Sequence, residues 1–223
     1  QGSTRHFDTL ERTNLHFLEV SAELGRLLVH RLRGEEGRAR QLEAENRLLF
    51  VQMGTMWLWQ TQLKWISAMA YVQTRDLGAM RRSIDELEAL ARDGVAVHTI
   101  LDQVRAMYCI ELGQPGEARQ LLLRALERPE VQDNPLALQG VLNVLGQALL
   151  DLDQPREAER IARRGVQLGR DPDCGVLHTY VFNSCNLALA EARQGRVDIA
   201  ARRLDRIIEA IDSGEHHGYL EAE

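Results

Sequence analysis

Apolar residues recur along this chain at spacings of three and four, which is the period of a helix with one buried face. After Pro115, for example, Ala118, Leu122 and Ala125 fall on one side of a helix. The alternation of apolar and polar residues that marks a strand does not occur in the sequence. The pattern therefore predicts an all-α protein. We place ten helices, at residues 8–33, 35–53, 55–74, 77–92, 96–112, 115–128, 135–152, 155–168, 175–194 and 196–212.

A short motif repeats between these helices. The six residues that begin at Gly113 (GQPGEA) share four identities with the six that begin at Asp153 (DQPREA), 40 residues later. A weaker copy begins at Gly195, 42 residues after Asp153, and a degenerate copy begins at Arg75, 38 residues before Gly113. A glycine that ends one helix, followed by a proline that starts the next, is typical of a tight turn. Each copy therefore predicts the turn of a helix hairpin.

The repeat also predicts how the domain is organised. Because one hairpin cannot bury its apolar face alone, successive hairpins must stack on one another. The predicted fold is a right-handed superhelix, or α-solenoid, of about five antiparallel hairpins with a repeat of 38–42 residues. The predicted segments are a tag remnant at 1–3, a long hairpin or cap at 4–55, four hairpins at 56–213 and the start of a further helix at 214–223. The chain is thereby predicted to be a piece of a longer protein.

A small residue five positions after each turn identifies a family resemblance. Ala118, Ala158 and Ala200 occupy this position, and Leu145-Gly146 precedes the second turn. In these residues the sequence resembles the tetratricopeptide-repeat superfamily, well over 56–213 and weakly over 9–55. The spacing exceeds the family's usual 34 residues, and aliphatic residues replace the consensus aromatic ones. In both respects the chain resembles the longer helical repeats of large bacterial signalling ATPases of the signal-transduction (STAND) type.

The resemblance implies a binding surface. In tetratricopeptide repeats, the first helix of each hairpin lines a concave wall at fixed positions. Carried onto this chain, these positions are Gln62, Trp65, Met69, Gln73, Gln103, Met107, Glu111, Asn143, Gln147, Asp151, Phe182, Cys185 and Arg193. Amide side chains can pair with a peptide backbone, and methionine adapts to varied apolar contacts. The implied function is a non-catalytic protein- or peptide-interaction module, as a fragment of a multidomain bacterial signalling or transcription regulator.

Three tryptophans support an alternative. Trp57, Trp59 and Trp65 lie close together in one predicted helix, where they either pack against the first hairpin or line a ligand site or an interface. A ligand site there would make the chain a sensor of a small molecule such as a sugar. A third hypothesis is a helical enzyme or another fold in which the repeat signal is misleading.

Composition and charge exclude several other functions. The 223 residues include 27 Lys and Arg against 33 Asp and Glu, so the net charge is −6, and no basic stripe is present for direct nucleic-acid binding. The single lysine, Lys64, falls inside a predicted helix, which excludes a phosphate-binding loop. None of the seven histidines has metal-ligand spacing. We therefore expect no enzymatic activity, no cofactor and no metal.

The remaining expectations concern location and partners. Three cysteines with no CxxC spacing predict a reducing, cytoplasmic environment. No apolar run reaches the roughly 18 residues that a membrane-spanning helix needs, so no membrane association is expected. The expected partner is a protein or peptide, either separate or another domain of the same chain, and self-association stays open.

Overall fold

The computed structural model describes residues 16–52, 56–94, 96–170 and 177–213, and within these ranges every regular element is a helix. The helices are α1 (His16–Leu32), α2 (Glu36–Gln52), α3 (Met56–Thr74), α4 (Leu77–Arg92), α5 (His98–Glu111), α6 (Pro115–Leu126), α7 (Pro129–Gln132), α8 (Pro135–Asp151), α9 (Pro155–Gly169), α10 (Leu177–Arg193) and α11 (Val197–Ser213). The all-α prediction is confirmed. The predicted segments at 1–3 and 214–223 lie outside the described residues.

The helix positions agree closely with those predicted, with one addition. The short helix α7 lies in a segment that we expected to be an irregular link. It begins at Pro129, and α8 begins at Pro135, so both prolines occupy the first turn of a helix, where the missing N–H has no intrahelical partner to lose. Val131 anchors α7 because its side chain is fully buried.

The predicted turns share one backbone geometry. The residue that ends the first helix has a left-handed conformation in four of them, with φ of 53° at Arg75, 73° at Gly113, 53° at Asp153 and 81° at Gly195. In each, the following backbone N–H donates to the carbonyl five residues earlier, as in the 2.8 Å bond from Gln114 to Cys109. This arrangement satisfies the last carbonyls of a helix and reverses the chain within three residues.

The chain divides into two compact units, residues 1–100 and 101–223. In the first unit, α1 and α2 pack in antiparallel orientation. Asn46 on α2 donates to the Glu23 carboxylate on α1 (2.6 Å), and Arg31 near the end of α1 donates to Glu43 (3.2 Å). Helices α3 and α4 complete the described part of this unit.

In the second unit, α8 is the central helix. Every residue from 138 to 146 is buried, so this stretch of the helix is covered on all sides. The largest fully buried side chains of the unit belong mostly to α8, and they are Leu122, Leu142, Leu145, Leu149, Leu150 and Leu187. Burial of leucines is the main source of stability in such a core, at about 25 cal/mol per Å² of apolar surface.

Helix α10 runs parallel to α8 and antiparallel to α9. Its contacts with α8 join residues that are 40 to 44 positions apart along the chain, in increasing order on both helices. On α9 the order is reversed, because Gly169 lies beside Tyr180 whereas Glu159 accepts from Gln194. Successive hairpins of the second unit therefore pack first helix on first helix, as a stacked repeat requires.

Candidate interaction surfaces

The structure places part of the predicted wall between helices. In the first unit Trp65 and Met69 are buried. In the second unit Gln103 is 3% exposed, Met107 is buried and Asn143 is 8% exposed. These five side chains are buried and do not form an open surface. The side chain of Gln62 lies outside the described residues, as do those of Trp57 and Trp59.

A set of four amides and one threonine joins α8 to α10, and we call it the amide ladder; its members are the buried Gln139, Asn143, Thr179 and Asn183 and the half-buried Asn186. Thr179 donates to the Gln139 side-chain oxygen (2.6 Å), and Asn183 donates to the Gln139 carbonyl (3.3 Å) and the Thr179 carbonyl (2.8 Å). Asn186 donates to both the carbonyl and the side-chain oxygen of Asn143, at 2.9 Å each. Buried polar groups that are paired in this way fix the register of two helices.

Two glycines let these amides approach the helix backbone closely. A Cβ atom at Gly165 of α9 would lie 2.2 Å from the Asn183 side-chain oxygen, and one at Gly140 of α8 would lie 2.6 Å from that of Gln103. Real side chains do not approach this closely, so each amide occupies space that only glycine leaves free. The close approach explains why Gln103 is buried.

The remaining predicted wall residues are at least partly exposed. In the first unit this is Gln73. In the second unit Glu111, Gln147, Phe182 and Cys185 are half-buried, and Asp151 and Arg193 are exposed. The structure adds Leu189 of α10, which is 45% exposed and lies four residues after Cys185. We define the exposed wall as Gln147, Asp151, Phe182, Leu189 and Arg193. Its role in binding stays a prediction.

Electrostatics at the exposed wall couple α8 to α10. Burial against neighbouring residues raises the pKa of Asp151, and the Arg193 guanidinium opposes this shift. Arg193 also donates to the Leu150 carbonyl at the end of α8. A carboxylate and a guanidinium therefore lie together at one end of the wall, and the apolar Leu189 precedes Arg193 by one helical turn.

The surroundings of Cys109 and Cys185, the two cysteines that the structure describes, disfavour the reactive thiolate form. Burial raises the pKa of the Cys109 and Cys185 thiols. A thiol with a raised pKa stays protonated at neutral pH, and the protonated form is a poor nucleophile.

In the first unit, a charged cluster surrounds Arg31. Its guanidinium donates to the Tyr71 hydroxyl and to Glu43, and it lies 5.3 Å from the centre of the Tyr71 ring. The pKa of Tyr71 is raised, chiefly by burial. The cluster connects α1, α2 and α3, and we assign it a structural role.

An arginine-rich depression lies on α9 of the second unit. It is shallow and open, and its lining includes Arg156, Arg160, Arg163 and Arg164. Glu159 in the same depression accepts from Arg163 and from Arg196, at 2.6 Å each, so the positive charge there is partly neutralised.

The described residues form neither a metal-binding cluster nor a membrane-spanning helix. No group of three or more His, Cys, Asp or Glu side chains is placed to hold a metal ion in the ranges that the structure describes. Over the same residues, no helix has both the length and the apolar character needed to cross a membrane.

Comparisons with protein-family models, curated proteins and solved structures found no match to this chain. The relationship to tetratricopeptide repeats stays a prediction from the sequence.

Proposed function

We propose that this chain is a non-catalytic helical-repeat module that binds a protein or peptide through the exposed wall. One observation supports this above all: the first helices of two successive hairpins, α8 and α10, lie parallel and in register. Their outward side chains therefore form one continuous surface. The superhelical stacking of all hairpins and the origin in a bacterial signalling or transcription regulator are parts of the proposal that rest on the sequence resemblance.

The chemistry of the exposed wall suits a peptide ligand. Phe182 and Leu189 offer apolar contact area, and Gln147 offers both a donor and an acceptor for a peptide backbone. Asp151 and Arg193 add charges of opposite sign at one end. Apolar anchors bordered by polar groups are the usual arrangement of a specific interface.

Selection of displayed random peptides on the whole chain tests this proposal. We expect Leu189→Asp to weaken binding of the selected peptides by about tenfold or more, because it places a charge among the apolar anchors. Gln147→Ala should weaken binding less. The matched controls are Arg160→Ala and Gln167→Ala, exposed substitutions on α9 that should leave Kd within about twofold. If the selected peptides bind the wall variants with the same Kd as the wild-type protein, the proposal is contradicted.

A thermal-shift screen against metabolites tests the small-molecule sensor. A ligand that binds only the native state raises the melting temperature with concentration. A saturable rise with one metabolite, without peptide selection, would favour the sensor over the interaction module.

A further inference from the structure

Helix α11 carries apolar residues on two faces. The inner face, with Ala200 and Ile207, is buried. The other face is exposed, and we call it the outer stripe; its members are Val197, Ala201, Leu204 and Ile208. Val197 is 60%, Leu204 39% and Ile208 55% exposed. The successive spacings of four, three and four are those that a helix presents to a second helix packed along it.

The preceding hairpin, α8 and α9, shows what covers the face that corresponds to the outer stripe. The 42-residue repeat aligns Leu204 and Ile208 of α11 with Ala162 and Val166 of α9. Ala162 and Val166 are buried beneath Leu187 of α10, with Tyr180 packed against the same cluster. The equivalent face of α9 is therefore covered by an antiparallel helix. In α11 the corresponding residues are larger, and they are exposed.

The charges beside the stripe indicate what kind of helix fits. Four residues directly follow a stripe residue and so border its edge: Asp198, Arg202, Asp205 and Glu209, with a net charge of −2. The same positions on α9 are Arg156, Arg160, Arg163 and Gln167, with a net charge of +3, so the sign of the net charge at this edge is inverted between the two hairpins. If a second copy of α11 packed antiparallel on the stripe, two edges of the same negative net charge would face each other, which disfavours that pairing. A helix with basic residues along this edge is complementary.

We propose that the outer stripe of α11 is a docking site for an amphipathic helix of a partner protein, whose apolar seam is bordered by Lys or Arg that face Asp198 and Asp205. This surface goes beyond the proposed function, because it shares no residue with the exposed wall. Either surface can therefore fail its test without affecting the other.

Two synthetic peptides test the docking site. Both have three heptads with Leu and Ile at the seam, and they differ only in carrying Lys or Glu at the bordering positions. With the whole chain, fluorescence anisotropy should give a Kd for the Lys peptide about tenfold lower than that for the Glu peptide at low salt. Leu204→Asp should weaken the Lys peptide by about tenfold or more, whereas Leu189→Asp on the exposed wall should not.

A charge reversal makes the test decisive. The double variant Asp198→Arg/Asp205→Arg should prefer the Glu peptide. Glu127→Arg/Glu130→Arg changes the net charge equally at exposed positions elsewhere, and it should keep the wild-type preference. If both double variants shift preference alike, the peptides respond only to net charge and the proposal fails.

Other outcomes would assign the stripe to a different occupant and overturn the proposal. Self-association that Leu204→Asp abolishes in sedimentation experiments would assign the stripe to a second copy. Binding of the Lys peptide only after removal of residues 214–223 would assign it to that segment of the chain. Equal affinity for both peptides would remove the role of the aspartates.

Discussion

Two sets of polar contacts between helices, one in each unit, use different chemistry. In the first unit, Arg31 pairs with Glu43 across α1 and α2, and Lys64 pairs with Glu86 across α3 and α4, so both contacts are ionic. In the second unit, α8 and α10 are joined by neutral amides such as Asn183 and Asn186. The packing of one helix on another can therefore be specified in two ways. Ionic contacts weaken in salt, whereas buried amide contacts are disrupted when a neighbouring side chain becomes larger.

Burial distinguishes the two sets of contacts. The partners of Arg31 and Lys64 are partly exposed, so water completes the solvation of their carboxylates. Asn183 is fully buried, and its side-chain N–H groups donate to two backbone carbonyls, whereas an unpaired ion there would carry a large desolvation cost. The ionic contacts should therefore respond to salt, and the amide contacts should respond to changes in volume.

The largest expected effect comes from filling the space beside Asn183. Gly165→Ala places a methyl group 2.2 Å from the Asn183 side-chain oxygen, and Asn183 is held by two backbone carbonyls. We expect the free energy of unfolding to fall by about 2–3 kcal/mol, since overpacking and a lost hydrogen bond combine. Urea unfolding followed by helical circular dichroism measures the loss, which should be the same at low and high salt.

Gly116→Ala on α6 is the matched control. No atom lies within 4 Å of the added methyl group, and alanine favours a helix, so stability should stay constant or rise by up to about 1 kcal/mol. If Gly165→Ala and Gly116→Ala lose the same unfolding free energy, the close approach of Asn183 to Gly165 does not explain the effect.

The next effect tests the ionic side of the comparison. Arg31→Met removes the donor to Tyr71 and Glu43 and leaves the carboxylate without its partner. We expect a loss of about 1–3 kcal/mol in the free energy of unfolding. This loss should shrink in 1 M salt, because salt already weakens the ionic contacts of the native protein. Arg38→Met, at an exposed pair, should change stability by less than about 0.5 kcal/mol.

Glu159 is an ionic contact within the amide-rich unit, and it adds a dependence on pH. Its pKa is lowered from 4.5 to about 2, chiefly by the hydrogen bond from Arg196 and further by those from Gln194 and Arg163. A lowered folded-state pKa adds stability that is present above about pH 4.5 and is lost as the pH falls toward 2. Glu159→Gln should therefore cost about 1–2 kcal/mol at pH 7, after allowance for partial exposure, and almost nothing at pH 2. A cost that is constant over this range of pH would contradict the assignment.

The smallest effect is expected at the pair between Lys64 and Glu86. The Glu86 side chain is 54% exposed, so Lys64→Ala should cost less than about 0.5 kcal/mol. A double-mutant cycle with Glu86→Ala measures the coupling. A coupling above about 1 kcal/mol would show that the stability of the first unit depends on its surface ion pairs as well as on Arg31.

The helices and turns could be predicted from sequence because their signals are local. Proline at a first turn and a left-handed residue at a helix end act within a few residues, so Pro155 and Gly195 marked their boundaries correctly. Helix α7 was not predicted because its four residues are too few to show a helical period. The same limit applies wherever a short helix fills a link.

The candidate wall was harder to predict because the sequence does not distinguish a buried amide side chain from an exposed one. Gln103 and Gln147 have the same side chain, yet Gln103 is enclosed beside Gly140 and Gln147 stays partly exposed. The deciding feature is a glycine on another helix, about 40 residues away in sequence. A glycine within a helical pattern is the signal that could have found this contact, because it often marks close packing.

The shared turn geometry has a consequence for how the chain folds. Because each left-handed turn reverses the chain within three residues, the helices that it joins are neighbours in sequence as well as in space. Chains dominated by such local contacts close small loops first and fold quickly. We expect the hairpins to form one after another as the chain emerges from the ribosome, each serving as the template on which the next one folds.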